Sequence, residues 1–377
     1  MLPATKSHRF SLADVLPSCA SSLLGEANAL RLPPVDAAVV LLVDGLGAAA
    51  LKARAGHART LASRLTPAAV IDGVFPTTTA AALATLTTGE APGRHGLVGY
   101  SVLQPERDRV VNQLSGWDGE LDPQTWQRCD TVFQRHAAAD FGSYAVGPAR
   151  FADSGFTRAV LRGAEYVPAA SIAERLEAAR SVVERAGRAL VYVYVPELDS
   201  AGHALGTESA EWTEQLEEVD RAVREFSATL GARQGLLVTA DHGALDVPHR
   251  AQVFIDSSPE LVEGVRFVAG EPRCLQLHAE AGEAQSLLHR WRAAEGGRAW
   301  VLGRSEAIAQ GWFGPAVDAE VEPRIGDVIV AARKRIAYYD GRTASAHARA
   351  MVGQHGSWSS EESRIPLLRL GAFEPRP

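Results

Sequence analysis

Three aspartates and three histidines stand at points where the sequence leaves an apolar run or meets a glycine. They are Asp44 in Asp44-Gly45-Leu46-Gly47, Asp199 and His203 in Asp199-Ser200-Ala201-Gly202-His203, Asp241 and His242 in Asp241-His242-Gly243, and His355 in Gln354-His355-Gly356. On a helix, Asp199 and His203 at i and i+4 share one face and can chelate one ion. Taken alone, the pair is also what a capping Asp and an incidental surface His would look like. Adjacent Asp241 and His242 cannot share a helix face, but a tight turn at a strand end can aim both at one ion, with Gly243 supplying backbone freedom. Asp44 alone would cap the next helix, and His355 alone would be a loop histidine. Convergence changes that reading. Carboxylate oxygens and imidazole nitrogens suit zinc or manganese better than calcium, and six ligands serve two divalent ions with positions left open for substrate.

A seventh residue could carry the reaction. In Val74-Phe75-Pro76-Thr77-Thr78-Thr79, Pro76 disfavours helix at Phe75, whereas the alanine-rich run after Thr79 favours it until Gly89. A threonine at that start lies where a helix N-terminus attracts anions. It could serve only as a cap. Beside metal ions its hydroxyl could instead be deprotonated and act as a nucleophile.

These residues need a common platform. The runs Ala37–Val43, 190–195 and 235–239 are continuously apolar, as expected for strands of a parallel sheet buried on both faces. Helical spacing of apolar residues marks 171–186 and 211–230 between them. Strand–helix–strand alternation predicts an α/β fold: a three-layer α/β/α core with a mostly parallel, doubly wound sheet. Ligands of such sheets bind outside the carboxyl ends of the strands, and all three apolar runs are followed there by an Asp. Residues 259–324 read differently, with short strands at 265–268 and 274–277 and a helix at 281–294, while 328–332 resumes the core style. The expected organisation is an N-terminal arm 1–34, a catalytic core 35–258 and 325–377, and a small α/β insertion 259–324, with a polar loop at 341–351.

Composition bounds the partners. The chain has 377 residues, a net charge of −7, 46% hydrophobic and 22% charged residues, which excludes a disordered or fibrous chain. An acidic balance argues against polymeric nucleic acid as a partner. A small anionic substrate stays open, because bound metal inverts the local charge of an acidic site. Cys19, Cys129 and Cys274 are too few and too scattered for a disulfide framework or a thiolate metal site. Neither a secretory signal nor a membrane-spanning run is expected, so the reading is a cytoplasmic protein without membrane contact. Oligomeric state is not legible.

In chain order, the Asp after the first strand, F-P-T-x-T at Phe75–Thr79, Thr88-Gly89, His95-Gly96, DxxxH at 199–203, D-H-G at 241–243 and the late His355-Gly356 resemble the alkaline phosphatase superfamily. The nearest branch is the type I phosphodiesterase/nucleotide pyrophosphatase group, over about residues 39–370. The resemblance implies that Thr79 is the nucleophile, forming a covalent phosphothreonine. It implies that Asp44, Asp241 and His242, with Thr79, hold one zinc, and that Asp199, His203 and His355 hold the other. The implied substrate is a small phosphate ester or nucleotide. Two departures stand out. An asparagine that contacts a phosphoryl oxygen in the group falls here at Tyr100, and the F-P-N-H run after the nucleophile is replaced by Ala80-Ala81-Ala82. Tyr100 could donate to substrate in place of the amide or only line the pocket.

Three rival readings remain. A phosphomonoesterase or phosphonate hydrolase with the same metals would need a positioned cation, for which Arg94, Arg150, Arg333, Lys334 and Arg335 are candidates. A phosphomutase would return the phosphoryl group to product. A metal-binding pseudoenzyme would keep the ligands without turnover. His95 and His249 are candidates for supporting the site, and Trp117, Trp312 and Trp358 for shaping a cleft.

Overall fold

The computed structural model describes residues 8–375. The first seven residues of the expected N-terminal arm and the last two of the core lie outside them. Eleven strands matter to the site. They are β1 Ala37–Val43, β2 Val70–Asp72, β3 Gly142–Gly147, β4 Glu165–Pro168, β5 Ala189–Val195, β6 Gln234–Thr239, β7 Val265–Glu271, β8 Cys274–Ala279, β9 Ala299–Gly303, β10 Val328–Ala332 and β11 Arg364–Gly371. Seven of them form the main sheet in the order β2-β11-β6-β1-β5-β3-β4. The pairs β6–β1, β1–β5, β5–β3 and β3–β4 are parallel, while β11 runs antiparallel to β6 and β2 at one edge. Every residue of β1 is buried, as its unbroken apolar sequence requires when helices cover both faces.

The helices used below are α1 Val15–Leu24, α2 Thr79–Thr88, α3 Gly155–Val160, α4 Ile172–Ala186, α5 Glu197–Leu205, α6 Ala210–Ser227 and α7 Ala284–Glu295. Local chemistry sets their ends. The Ser171 hydroxyl accepts from the Glu174 N–H while the Glu174 carboxylate accepts from the Ser171 N–H, a capping box that starts α4. Gly89, at φ +70°, terminates α2. Helix 211–230 is shorter than its spacing suggested and stops at Ser227. The expected loop at 341–351 contains a short helix, Ala346–Ala350.

Two stretches fall elsewhere than expected. Residues 8–34 do not project as an arm: Val15, Leu16, Cys19, Ala20 and Leu23 of α1 are buried in the main core, at helical spacing that the interspersed serines and Pro17 obscured in the sequence. The run Val328–Ala332 belongs to a second, four-stranded sheet of order β7-β8-β10-β9 rather than to the main sheet. Val328 and Val330 pack with Leu287, Leu288 and Trp291 of α7, whereas Ile329 and Ala331 join the main core. A strand buried on both faces reads as continuously apolar in either sheet, so its sequence could not tell the two apart.

Candidate active site

β1, β5 and β6 are in parallel register, so their carboxyl ends deliver Asp44, Asp199 and Asp241 to one edge. Asp199 and His203 lie one turn apart on α5, and their side chains approach to 3.3 Å. His355 returns from the far end of the chain, with Nε2 3.2 Å from His203 Nε2 and 3.9 Å from an Asp199 oxygen. The His242 and His355 rings stack at 3.7 Å, and His242 Nε2 lies 3.3 Å from Asp241 and 3.6 Å from Asp44. Two groups of ligand atoms result: Asp199, His203 and His355, and Asp44, Asp199 and His242. Asp199 is shared between them, a feature the spacing did not announce. Asp241 stands beside the second group, its Oδ1 accepting from the N–H groups of Gly45 and His242.

The donor set is built for cations. Each histidine faces a backbone carbonyl through Nδ1: His203 that of Gly353 at 2.8 Å, His355 that of Thr77 at 2.7 Å, and His242 that of Gly243 at 3.2 Å. A carbonyl only accepts, so Nδ1 donates to it and Nε2 is left toward the cluster, facing its counterpart in the His203–His355 pair and facing Asp241, Asp44 and Thr79 in His242, the usual arrangement of metal-binding imidazoles. Asp44 Oδ1 and Asp241 Oδ2 are buried with no hydrogen-bond partner. Burial, with the charges of Asp241 and Asp199 beside it, pushes the Asp44 carboxyl well above the usual carboxylate range. Burial and the neighbouring His242 and His203 hold His355 well below the usual imidazole range. Clustered carboxylates and unprotonated imidazoles are mutually uncomfortable unless a divalent ion lies among them. The residues fit the group.

Thr79 is the first residue of α2. Its Oγ1 lies 3.3 Å from His242 Nε2. Thr78, at the cap position, makes no side-chain cap bond, so the first-turn N–H groups are not closed off by a cap. Phe75 anchors the segment, stacked on Trp358 at 4.9 Å and edge-on to Trp312 at 4.7 Å. Those two tryptophans are therefore packing, not cleft walls.

Tyr194 and Gln113 escaped the sequence reading. The Tyr194 hydroxyl donates to Asp44 Oδ2 at 2.5 Å, a role signalled only by an aromatic hydroxyl near the end of an apolar strand. The Gln113 N–H donates to the Tyr100 carbonyl at 2.8 Å, and its own amide is buried with neither atom partnered. Tyr100 itself is 40% exposed and does not line the cavity at Thr79. His95 is enclosed with Thr85 and Leu97, and burial lowers it to about 3, so it is a neutral structural group. His249 contacts Gln252 at the surface.

Gly243 does not use the conformational freedom expected of it. A Cβ there would sit 2.1 Å from the Glu361 carbonyl oxygen and 2.6 Å from Gly47 Cα. Two glycines meet back to back, letting the Asp241-His242 turn close on the Asp44 turn. Gly243→Ala is expected to cost about 1–3 kcal/mol through overpacking and to lower bound metal, read by thermal unfolding and metal analysis. Unchanged values of both would refute the contact argument.

Two cavities flank the ligands. One, of about 210 Å³, is lined by Asp44, Thr79 and Asp199 at its inner end. The other, of about 470 Å³, lies on the His203 side and is bordered by His347 and Met351. Asp199 and Ser200 belong to both.

Comparison with known proteins agrees with this fold. The murine ectonucleotide pyrophosphatase/phosphodiesterase 5 is similar in fold, with TM-score 0.68 at 18% identity, covering 89% of this chain and 88% of that one. A phosphonoacetate hydrolase from Sinorhizobium meliloti 1021, solved with phosphonoformate, is similar with TM-score 0.67 at 19% identity over 90% and 91% of the two chains. An alkaline phosphatase PhoD of Zymomonas mobilis is 40% identical over 67 residues, a match spanning 17% of this chain and 12% of that protein. No helix among the described residues is long and apolar enough to cross a membrane. A model of the type I phosphodiesterase/nucleotide pyrophosphatase family matches residues 38–358. The chain belongs to that family.

Proposed function

We propose that the protein is a zinc-dependent phosphodiesterase or nucleotide pyrophosphatase acting through a phosphothreonine at Thr79. The observation that carries this reading is the Thr79 hydroxyl at a helix N-terminus, 3.3 Å from His242 within the Asp/His cluster. Asp44, Asp241 and His242, with Thr79, would hold one ion, and Asp199, His203 and His355 the other. Bound there, divalent ions lower the pKa of an adjacent hydroxyl and offset charge on phosphoryl oxygens.

The chain's own groups do the rest. Thr79 Oγ1 attacks phosphorus in line, forming an oxygen–phosphorus bond as the bond to the leaving oxygen breaks, and the threonine proton passes through solvent to the departing oxygen. The first-turn N–H groups of α2 face the equatorial oxygens. Water then attacks the phosphothreonine, and the Thr79 hydroxyl is restored. Two cavities meeting at Asp199 support a diester, which carries an organic group on each side of phosphorus. An inactive threonine-to-alanine variant of the murine neighbour was solved with AMP, in keeping with a threonine-dependent phosphoester site.

A second reading, a monoesterase or phosphonate hydrolase, is favoured by Arg150. Of the five basic candidates it alone lines the cavity with Thr79, and it has no carboxylate partner among the described residues. Arg94 is committed to Asp318. The deciding measurement compares a diester and a monoester sharing one leaving group. The diester is expected to turn over at least about tenfold faster, and a monoester preference would overturn the first reading. Chelation is expected to abolish turnover and zinc to restore it. Full activity in metal-free protein would end both readings.

A further inference from the structure

The cavity at Thr79 exposes mainly apolar surface. Leu83 of α2, Leu114, Phe151, Phe156, Val160 and Tyr166 are among its lining residues. Its polar side chains are largely satisfied elsewhere. The Tyr166 hydroxyl donates to the Pro148 carbonyl at 2.9 Å, that of Tyr194 to Asp44, and the Ser154 hydroxyl to that of Thr157 at 3.0 Å. The Tyr192 hydroxyl and Asp44 Oδ1 are buried without a partner, and Arg150 has no carboxylate partner among the described residues. Arg150 also lines the cavity, its guanidinium 4.5 Å from the Phe151 ring centroid.

In-line displacement puts the leaving group opposite Thr79, so whatever fills the cavity on the Thr79 side stays on phosphorus. An apolar cavity of about 150 Å³ admits a benzene ring, and this one measures about 210 Å³. A nucleoside would set a sugar with several hydroxyls against leucine and phenylalanine, where every hydroxyl left without a partner is costly. We infer that the retained group of the substrate is compact and apolar, an aryl or branched alkyl group, rather than a nucleoside. This inference rests on the diesterase reading above.

The test uses the zinc-loaded protein and three p-nitrophenyl esters with one leaving group: those of methylphosphonate, phenylphosphonate and thymidine 5′-phosphate. Phenylphosphonate is expected to exceed the other two in kcat/KM by about tenfold or more, the scale of burying one ring. Free phenylphosphonate should inhibit at least about tenfold more tightly than methylphosphonate, a readout that needs no variant. Leu161→Trp, which fills the cavity from a partly buried wall position, should collapse the phenyl-to-methyl ratio. Preference for the thymidine ester, or an unchanged ratio in Leu161→Trp, would overturn the inference while leaving the diesterase reading intact. No release from any of the three would overturn the diesterase reading and this inference with it.

Discussion

Thr79→Ala lowers kcat by about 10³-fold or more while bound metal and thermal unfolding stay close to those of the parent protein. The reasons are local. Thr79 is the first residue of α2, and its side chain contacts the cluster through Oγ1 and His242. Alanine is at least as good a helix former as threonine, so the substitution should not weaken α2. The three remaining residues around each proposed ion are untouched. What disappears is the hydroxyl proposed to form a bond to phosphorus. Rapid quenching of turnover with a phosphorus-labelled substrate should trap label on Thr79 in the parent and none in the variant. Thr79→Ser should retain a measurable part of the activity, because the oxygen survives. Thr79→Ala with more than a tenth of parental activity and both metals bound would remove the covalent mechanism.

The proposed ligand residues were legible as a set, not one by one. An Asp after a strand suits a plain turn or a cap, and what singled these out was that parallel register carries all three strand ends to one edge. Helical periodicity put Asp199 and His203 on one face, but alone it did not distinguish them from a capping Asp and a surface His. Other parts were not legible. Leu83, Leu114, Phe151, Phe156 and Val160 wall the cavity, yet in sequence they are indistinguishable from residues that fill a core. Gly243 was read for its backbone freedom, whereas its role is the absence of a side chain where two turns touch. Such a contact depends on Gly47, nearly two hundred residues away. The shared position of Asp199 between two ligand groups is likewise a distance, not a spacing.

Arg273→Leu is the substitution expected to damage stability most, by about 3–5 kcal/mol, because it strands a buried carboxylate. Arg273 and Glu362 are both fully buried, paired through two hydrogen bonds of 2.7 and 2.8 Å. Arg273 follows β7 in the turn to β8 and also donates to the carbonyls of Lys334 and Ile336. Glu362 accepts from the Ser357 N–H, and the Ser357 carbonyl accepts from the Thr77 hydroxyl, which in turn accepts from the Gly356 N–H. The Thr77 carbonyl receives His355 Nδ1. An ion pair rooted in the second sheet therefore fixes the loop carrying His355 and the turn leading to Thr79. Its loss should lower zinc affinity and kcat as well as the unfolding temperature. The double change Arg273→Leu with Glu362→Leu separates the two effects. Removing both charges relieves the stranded carboxylate, so much of the stability should return. The Ser357 tether, which Glu362 still makes in Arg273→Leu, is now lost, so zinc affinity should not recover with it. Full recovery of both would mean that the pair supports the fold alone and has no part in holding the site.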